Sequence, residues 1–247
     1  MSNRLTIEQT SGNPPKLPDT ELGSLAELYA RVFADDPWNE YTTCPTSGAF
    51  FGTETIPNDN CPETECNASL QLAYPLEQTK DYITRELTQP DAALLLLRDQ
   101  EQNGKLVGFS WGFSYNNPDA LATAKYKTPA MQVAVSGLLR QLDLGTNGLW
   151  YLSESGIENN SQYRGKGLSR EFHLRRLQIA HKLGLDAIQR TSAYGNMYRT
   201  SKRTMVQIMG TETVPDPATN ALQPTGAIIN NLEDCETKGR VLFARKI

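Results

Sequence analysis

The stretch "NNSQYRGKGLSREFHLRR", which begins at Asn159, combines residue types that suit the binding of an anion. It holds two glycines two positions apart and three cations around them, namely Gly165, Gly167, Arg164, Lys166 and Arg170. Glycine costs conformational entropy on folding, and cations are unfavourable at the start of a helix, where the helix dipole prefers anions. The arrangement is therefore poor for stability alone and indicates that an anionic ligand binds there.

The charge of the chain is unevenly distributed. Residues 161–203 hold ten Lys/Arg and two Asp/Glu, a local charge of +8 in a chain of 247 residues with net charge −4, so the rest carries −12. A basic segment in an acidic protein favours one anionic ligand over a nucleic-acid surface, for which a whole domain is usually basic. Solvated helix faces of opposite sign remain the alternative.

A strand followed by a glycine-rich loop and a helix is a recurring phosphate site, since backbone N–H groups point at the anion and glycines let it come close. Two known phosphate motifs do not fit this loop. A Walker A loop requires glycine at the position of Asn160 and Ser or Thr directly after Lys166. A Rossmann fingerprint requires a third glycine that the loop lacks.

The surrounding sequence predicts the elements that position the loop. Helical spacing of apolar residues marks 19–37, 75–87, 128–142, the segment from the loop through Leu183, and 196–209. Runs with β-propensity mark a hairpin at 91–114 and strands at 148–158, 184–193 and 239–247. This order predicts an α/β (α+β) fold in which helices cover a mixed sheet.

We expect a flexible lead-in at 1–18 and a single domain at 19–247, with insertions at about 40–70 and 115–145. The N-terminus has no apolar core of signal-peptide length, and the longest apolar run, 92–97, is too short to cross a bilayer. A cytoplasmic protein without a membrane partner is the expectation.

The segment "QYRGKGLS" at 162–169 resembles the pyrophosphate-binding signature of the GNAT superfamily of N-acetyltransferases, Gln/Arg-x-x-Gly-x-Gly/Ala. The signature is matched at Gln162, Gly165 and Gly167, and the predicted order of elements also matches that of the family. The resemblance implies a mostly antiparallel central sheet flanked by helices, with a splayed strand pair at the cofactor site.

The resemblance also implies an activity: an acyl-CoA-dependent N-acyltransferase that moves acetyl from acetyl-CoA to a primary amine by direct attack in a ternary complex. Two alternatives stay open. One is a CoA-binding module with weak or no turnover, and the other is a transferase that uses another acyl-CoA.

Cofactor contacts follow from the same resemblance. They fall on the strand end, on the loop and on the head of a later helix, at Ile157, Glu158, Asn159, Gln162, Tyr163, Arg164, Gly165, Lys166, Gly167, Leu168, Ser169 and Asn196. Free strand amides near Ile157 would pair with the pantetheine arm as an added strand does. Gly156 suits a β-bulge there, and a simple turn is the alternative.

Acetyl transfer to an amine requires a base, an oxyanion donor and a route for the departing thiolate. The resemblance places the base at Glu154, with Glu158 second, and the oxyanion donor at a backbone amide near Ile157. The family's usual acid is a tyrosine four residues before a Gly-Phe pair, but counting back from Gly210 places Val206 there. Tyr198 is the nearest substitute acid, and Tyr194 is the second candidate. Ordinary packing is the alternative for each tyrosine.

Three of the four cysteines, Cys44, Cys61 and Cys66, fall inside the first insertion, and Cys235 lies near the C-terminus. The spacing in "CPETEC" is within the range for a zinc knuckle, and Cys235 or Glu65 could complete a site. Reduced thiols without a metal are the expected state of a cytosolic chain, so no metal ligand is assigned.

The amine should be bound outside the cofactor region, by 35–75 and 115–145. Asp35, Asp36 and Glu40 cluster after the first helix, and charge complementarity favours a cationic acceptor such as a polyamine-like, aminoglycoside-like or lysine-type amine. Trp38 and Tyr41 could form an apolar wall, although core packing is the better account of Trp38. No nucleic-acid partner is expected, and a homodimer stays open.

Overall fold

A computed structural model describes residues 4–10, 14–35, 38–192, 195–215, 222–229 and 240–247. The chain divides into two compact units. The first unit comprises Met1–Thr88, Leu94–Ser110 and Ser155–Leu168, and the second comprises Gln89–Ala93, Trp111–Glu154 and Ser169–Ile247. The expectation of a single domain stays a prediction.

The described residues form helices and strands in alternation. The helices are α1 Asp19–Ala34, α2 Leu76–Leu87, α3 Pro118–Lys125, α4 Pro129–Gln141, α5 Leu168–Leu183 and α6 Gly195–Thr204. The strands are β1 Leu5–Gln9, β2 Thr42–Thr43, β3 Phe50–Phe51, β4 Gln71–Leu72, β5 Ala93–Asp99, β6 Lys105–Tyr115, β7 Leu149–Ile157, β8 Asp186–Ser192, β9 Val206–Pro215, β10 Leu222–Ile229 and β11 Arg240–Arg245.

Eight strands form one sheet in the order β1-β5-β6-β7-β8-β11-β9-β10. The pairs β1/β5, β8/β11, β11/β9 and β9/β10 are antiparallel, whereas β7 and β8 run parallel. The expected mixed, mostly antiparallel sheet flanked by helices is confirmed. The short strands β3-β2-β4 form a second sheet inside the first insertion.

Several predicted elements are confirmed in their type and position. Helices α1, α2 and α4 cover the apolar patterns that predicted them. The hairpin of β5 and β6 turns through a 3-10 turn at Gln100–Gln102 and then through Asn103 and Gly104, both left-handed with φ of 55° and 71°. Asparagine and glycine tolerate that conformation better than other residues.

The helix predicted at 196–209 is too long. Helix α6 ends at Thr204, and Val206 already begins β9. The reason is strand pairing with β11, in which Val206 lies opposite Ala244 and Gln207 lies opposite Phe243. Tertiary pairing overrides a short apolar pattern that fits helix and strand equally well. The sequence also missed β2, β3, β4, β10 and α3.

The segment expected to be a flexible lead-in contains a strand. Leu5–Gln9 form β1 and pair antiparallel with β5, from Leu5 opposite Asp99 to Gln9 opposite Leu95. Pairing with β5 explains why this segment forms a strand, because β5 is an apolar strand whose free edge would otherwise expose backbone groups. Residues 1–3 and 11–13 lie outside the described part of the chain.

Each unit has its own core. In the first unit, Tyr29 of α1 packs on Phe33 and Phe109 with ring centroids 4.5 and 5.5 Å apart. In the second unit, the buried side chains of Trp150, Leu177 and Phe243 belong to one hydrophobic cluster. None of the described helices is long and apolar enough to cross a membrane.

His173 of α5 is fully buried in the second unit, where its Nε2 lies 2.7 Å from Oγ1 of Thr204. Its Nδ1 has no hydrogen-bond partner among the described residues. Burial, together with the charges of Arg176 and Arg245, lowers the pKa of His173 to about 3. The imidazole is therefore neutral in the folded protein across the physiological range.

We expect acid to destabilise the fold through His173. The imidazole of the unfolded chain binds a proton below about pH 6.5, whereas that of the folded chain stays neutral down to about pH 3. The free energy of unfolding should fall through that window by up to about 1.4 kcal/mol per pH unit, and His173→Gln should flatten this part of the slope. Urea unfolding at several pH values measures this dependence.

His181→Gln, at an exposed position of the same helix, is the control and should keep the slope of the unmodified protein. Equal slopes in His173→Gln and the unmodified protein would contradict the assignment.

Candidate functional site

The loop 158–167 turns tightly between β7 and α5. The N–H groups of Tyr163 and Arg164 both donate to the carbonyl of Asn160, at 2.9 and 3.1 Å. Gly165 and Gly167 then adopt left-handed conformations with φ of 73° and 74°. A Cβ atom at either glycine would meet nothing within 4 Å, so these glycines are required by the backbone conformation, and the space beside them is open.

The backbone beyond that turn offers unused donors. Across the described chain, no acceptor receives a hydrogen bond from the N–H groups of 165–167. The first turn of α5, which starts at Leu168, adds the N–H groups that a helix leaves free at its beginning. Successive free N–H groups at such a place form an anion site.

The three cations of the loop region are available to a ligand. Arg164, Lys166 and Arg170 are exposed, and none of them pairs with a carboxylate in the part of the chain that the structure describes. Exposed cations beside free N–H groups bind a phosphate with charge-assisted hydrogen bonds. The loop therefore has the chemistry of a pyrophosphate site.

Tyr163 holds the loop in place. Its side chain is buried, and its hydroxyl donates to Oδ2 of Asp99 over 2.9 Å and accepts from Nε2 of Gln102 over 2.8 Å. Asp99 is itself fully buried and forms an ion pair with Arg4 at 2.8 Å. That hydrogen-bonded Arg4 guanidinium holds the pKa of Asp99 at about 2 despite burial, so the carboxylate stays ionised at all physiological pH values.

Arg4 also reaches the loop directly, since its Nη2 donates to Oε1 of Gln162. The side chains of Gln162 and Tyr163 thus hold the loop against Arg4, which precedes β1, and against Asp99 of β5. Sequence reasoning assigned both residues to the cofactor and missed Arg4, Asp99 and Gln102. No local pattern could have identified these three, because their role depends on pairing between residues far apart in the chain.

Strands β7 and β8 pair only at their beginnings. The parallel register covers Leu149–Tyr151 opposite Asp186–Ile188, while β7 continues to Ile157 and β8 continues to Ser192 along β11. Within the described residues the two strands therefore separate, which leaves one edge of β7 without a partner strand. This is the splayed pair that the resemblance implies. The sheet thus has the mixed, splayed architecture that the resemblance to the GNAT superfamily implies.

The unpaired edge of β7 bears the amide that the resemblance names. The N–H of Glu158 donates to the carbonyl of Val107 over 2.8 Å and is thus directed at β6. Because successive N–H groups of a strand point to opposite edges, the N–H of Ile157 is directed away from β6. Within the described residues, β6 therefore uses the amide of Glu158, whereas the amide of Ile157 faces the opposite edge of β7.

Gly156 lies within β7 and not in a turn after it, so the turn alternative is wrong. A Cβ atom there would lie 2.6 Å from Cζ of Phe109 and 2.7 Å from Cγ1 of Val32. Close packing against these side chains is sufficient to require glycine. A bulge at Gly156 stays a prediction.

Glu154, the first candidate base, is a half-buried residue of β7 in the second unit. Its carbonyl accepts from Nη1 of Arg176 over 3.4 Å. Arg176 is fully buried, and this burial lowers its pKa to about 10, although the charge of Glu154 opposes the shift. A buried cation therefore lies within electrostatic reach of the Glu154 carboxylate.

Glu158, the second candidate, is held in ion pairs in the first unit. Its carboxylate lies 3.0 Å from Nζ of Lys105 and 3.9 Å from Nε of Arg31, and its side chain is 19% exposed. The carboxylate of Glu158 therefore has a structural role in these two ion pairs.

The acid candidates differ in their surroundings. Tyr198 is buried in the core cluster of the second unit, edge-on to Phe243 at 5.7 Å, and burial raises its pKa. Val206 begins β9 and is 68% exposed. Asn196 lies in the first turn of α6, but its side chain falls outside the described residues, as does all of Tyr194. Packing is the better account of Tyr198, and its role as an acid stays a prediction.

The first unit contains an aromatic cavity of about 320 Å³. It is lined by Tyr29, Ala73, Tyr74, Pro75, Gln78, Thr79 and Tyr82. The hydroxyl of Tyr74 donates to Oε2 of Glu40, so the Glu40 carboxylate contacts one of the tyrosines that line the cavity. Tyr29 also stacks on Phe109, the ring that packs against Gly156, and this contact connects the cavity to the end of β7.

The other acceptor candidates have structural contacts of their own. The carbonyl of Asp35 accepts from the N–H of Trp38 over 3.0 Å. The Trp38 ring lies 5.5 Å from that of Phe33, in accord with the packing role expected for it. Asp36 lies outside the described residues.

Solved structures of similar architecture are known. The chain is 13% identical to a mosquito arylalkylamine N-acetyltransferase-like 5b protein, with a TM-score of 0.49 and coverage of 98% of this chain and 100% of that chain. It is 13% identical to the polyamine N-acetyltransferase of Drosophila melanogaster, with a TM-score of 0.48 and coverage of 98% and 100%. It is 12% identical to YncA of Salmonella typhimurium, which was solved with its cofactor acetyl-CoA, with a TM-score of 0.43 and coverage of 99% and 94%.

No protein-family model matches the chain, and no curated protein sequence matches it. The assignment of a function therefore depends on the geometry of the site.

Proposed function

We propose that the protein is an acyl-CoA-dependent N-acyltransferase that transfers acetyl from acetyl-CoA to a primary amine. The loop 158–167 and the first turn of α5 carry this proposal. Two left-handed glycines with open space, N–H groups without an acceptor among the described residues, and the exposed cations Arg164, Lys166 and Arg170 coincide there. A pyrophosphate is the ligand that such a loop recognises best. The open edge of β7 beside it suits an extended, amide-bearing arm such as pantetheine.

Each part of the cofactor has a proposed contact. The N–H groups of 165–169 and the side chains of Arg164, Lys166 and Arg170 bind the pyrophosphate. Backbone groups at Ile157 and Asn159 bind the pantetheine arm on the edge of β7 that β6 does not use. Asn196 is proposed to contact the arm from α6. Gln162 and Tyr163 contribute by holding the loop through Asp99 and Arg4.

The chemistry then needs a neutral amine next to the thioester. Glu154 is the proposed base, directly or through a water molecule, and it takes the proton that an ammonium must lose before it can attack. The N–H of Ile157 is the proposed donor to the oxyanion that forms on the thioester carbonyl. The CoA thiolate leaves when the tetrahedral intermediate collapses.

The proposed acceptor is a cationic amine that places its distal charge in the aromatic cavity. Tyrosine rings bind ammonium groups through cation–π attraction, and Glu40 behind Tyr74 adds a negative charge. The contact of Tyr29 with Phe109 brings this cavity close to the end of β7, where the acetyl group is delivered.

A second candidate function is a CoA-binding module without turnover. It is favoured because neither candidate position offers an obvious acid: Val206 has no proton to donate, and Tyr198 is buried in a core. Acetyl-CoA binding without any amine-dependent release of CoA, across a panel of amines, would select this candidate.

The first prediction concerns the loop. Gly165→Glu should lower the affinity for acetyl-CoA and CoA at least about tenfold, equal to about 1.4 kcal/mol, because it strains a left-handed backbone and adds a like charge beside the phosphates. Calorimetric titration measures the effect. Gly184→Glu is the matched control: Gly184 is also left-handed, with φ of 68° and open space, at the opposite end of α5. Equal affinities in the two variants would contradict the proposed pyrophosphate site.

The second prediction separates the two carboxylates. Glu154→Gln should lower kcat about 10²- to 10⁴-fold, as expected for loss of a general base, and should remove the acidic limb of the pH–rate profile. Glu158→Gln should lower kcat less than about tenfold, because its carboxylate serves ion pairs with Lys105 and Arg31. Steady-state kinetics over a range of pH tests both, and the reverse ranking would assign the base to Glu158.

The third prediction concerns the acceptor. Glu40→Gln should raise the KM for a diamine about tenfold and leave the KM for a monoamine of equal length within about twofold, with kcat little changed, because only the diamine carries a distal charge. Glu27→Gln, an exposed change on α1 with the same loss of charge, controls for long-range electrostatics. An unchanged diamine KM in Glu40→Gln would remove the cavity from the acceptor site.

A further inference from the structure

Three cysteine side chains converge in the first unit, in the insertion that contains the small sheet. The Sγ atoms of Cys44, Cys61 and Cys66 all lie within 4.8 Å of one another. The Sγ atoms of Cys44 and Cys66 are 3.4 Å apart. All three cysteines are free thiols. Residues from separate turns thus place three soft ligands around one point.

The turn that carries Cys44 is shaped around its sulfur. The N–H of Ser47 points at Sγ of Cys44 over 3.5 Å, and the N–H of Gly48 donates to the Cys44 carbonyl over 2.8 Å. Gly48 completes the turn with a left-handed φ of 73°. A backbone N–H directed at a sulfur stabilises the negative charge of a thiolate, as in the outer shell of a metal site.

The distances suit a tetrahedral thiolate site. Zn–S bonds of about 2.3 Å place the sulfurs of such a site about 3.8 Å apart. The three observed sulfurs lie within 4.8 Å of one another, with Cys44 and Cys66 at 3.4 Å. A small closure of the turns would complete the geometry.

The insertion needs a source of stability other than its core. Its strands β2, β3 and β4 have two residues each, and its buried cluster consists of Cys44, Cys61 and Leu70, with Phe51, Cys66 and Ala68 partly buried around them. So few apolar side chains stabilise a small sheet poorly. Metal binding commonly supplies the folding free energy of such elements.

We propose that Cys44, Cys61 and Cys66 bind one zinc ion that fixes the insertion. The fourth position falls to Glu63, whose Oε2 lies 3.7 Å from Sγ of Cys61. Zinc binding releases the thiol protons and turns the three sulfurs into thiolate ligands. The role is structural, since the cluster belongs to the core of the insertion.

The proposal replaces the expectation of unliganded thiols. A disulfide between Cys44 and Cys66 is the competing product of the same proximity, but it would leave Cys61 unused in the cluster. The two outcomes differ in the thiol count as well as in the metal content, so one set of measurements separates them.

The test begins with the full chain purified under reducing conditions without chelator. We expect close to one zinc ion per chain by elemental analysis. After removal of the metal, titration with Co²⁺ should produce the sulfur-to-cobalt charge-transfer absorption of a tetrahedral thiolate site, and zinc should displace the cobalt. Cys44→Ser, Cys61→Ser and Cys66→Ser should each lose the bound zinc, and Glu63→Gln should bind it about 10- to 100-fold more weakly.

Cys235→Ser is the matched control and should retain the metal, because Cys235 is outside the proposed ligand set. Loss of the metal in that variant would overturn the assignment of the fourth ligand. A native chain with four reactive thiols that takes up neither zinc nor cobalt would overturn the site, and so would a thiol count lowered by a disulfide. The cobalt spectrum of the native chain keeps the test valid if a serine variant fails to fold.

Discussion

The buried carboxylate of Asp99 is the constraint on which the proposed cofactor loop depends. A carboxylate with no exposure to solvent is stable only when charge and hydrogen bonds compensate for its lost hydration. Arg4 supplies the charge and Tyr163 supplies a hydroxyl. Because Tyr163 sits at the centre of the loop, satisfying Asp99 also fixes where the free N–H groups of 165–167 begin. A requirement of the core thus positions the surface that we propose as the pyrophosphate site.

The proposed pantetheine site on β7 also depends on which backbone groups are already paired. A parallel pair that stays together consumes the amides of both strands, but β7 and β8 pair over Leu149–Tyr151 only. Beyond that point β6 pairs with one edge of β7, and no strand in the described part of the chain pairs with the other edge. That edge offers donors and acceptors that suit an extended ligand. Cations gather at the loop, whereas a carboxylate and three tyrosines gather at the cavity of the first unit. The two regions favour ligands of opposite charge.

The sequence predicted the parts of this arrangement that local patterns determine. Apolar periodicity located α1, α2, α4 and the β5/β6 hairpin, and the spacing of Gly165 and Gly167 located the loop. It could not predict what depends on pairing across the chain. Arg4 gave no signal because its partner Asp99 is 95 residues away. The helix predicted at 196–209 failed for a related reason: pairing with β11 decides that Val206 onward is a strand. The convergence of three cysteines likewise requires the folded insertion.

The energetics of the transfer suggest why an absent acid is tolerable while an absent base is not. An alkyl ammonium with a pKa near 10.4 costs about 4–5 kcal/mol to deprotonate at pH 7, and attack cannot begin until that proton has gone. A thiol with a pKa near 8.5 costs only about 2 kcal/mol to release as its thiolate at the same pH. A valine at position 206, where the resemblance implies a tyrosine, therefore removes only the smaller contribution, which solvent can replace after the bond has broken. Losing the carboxylate of Glu154 would remove the larger one. A chain with Val206 exposed and Tyr198 packed in a core can still catalyse acetyl transfer if its strand carboxylate is correctly placed.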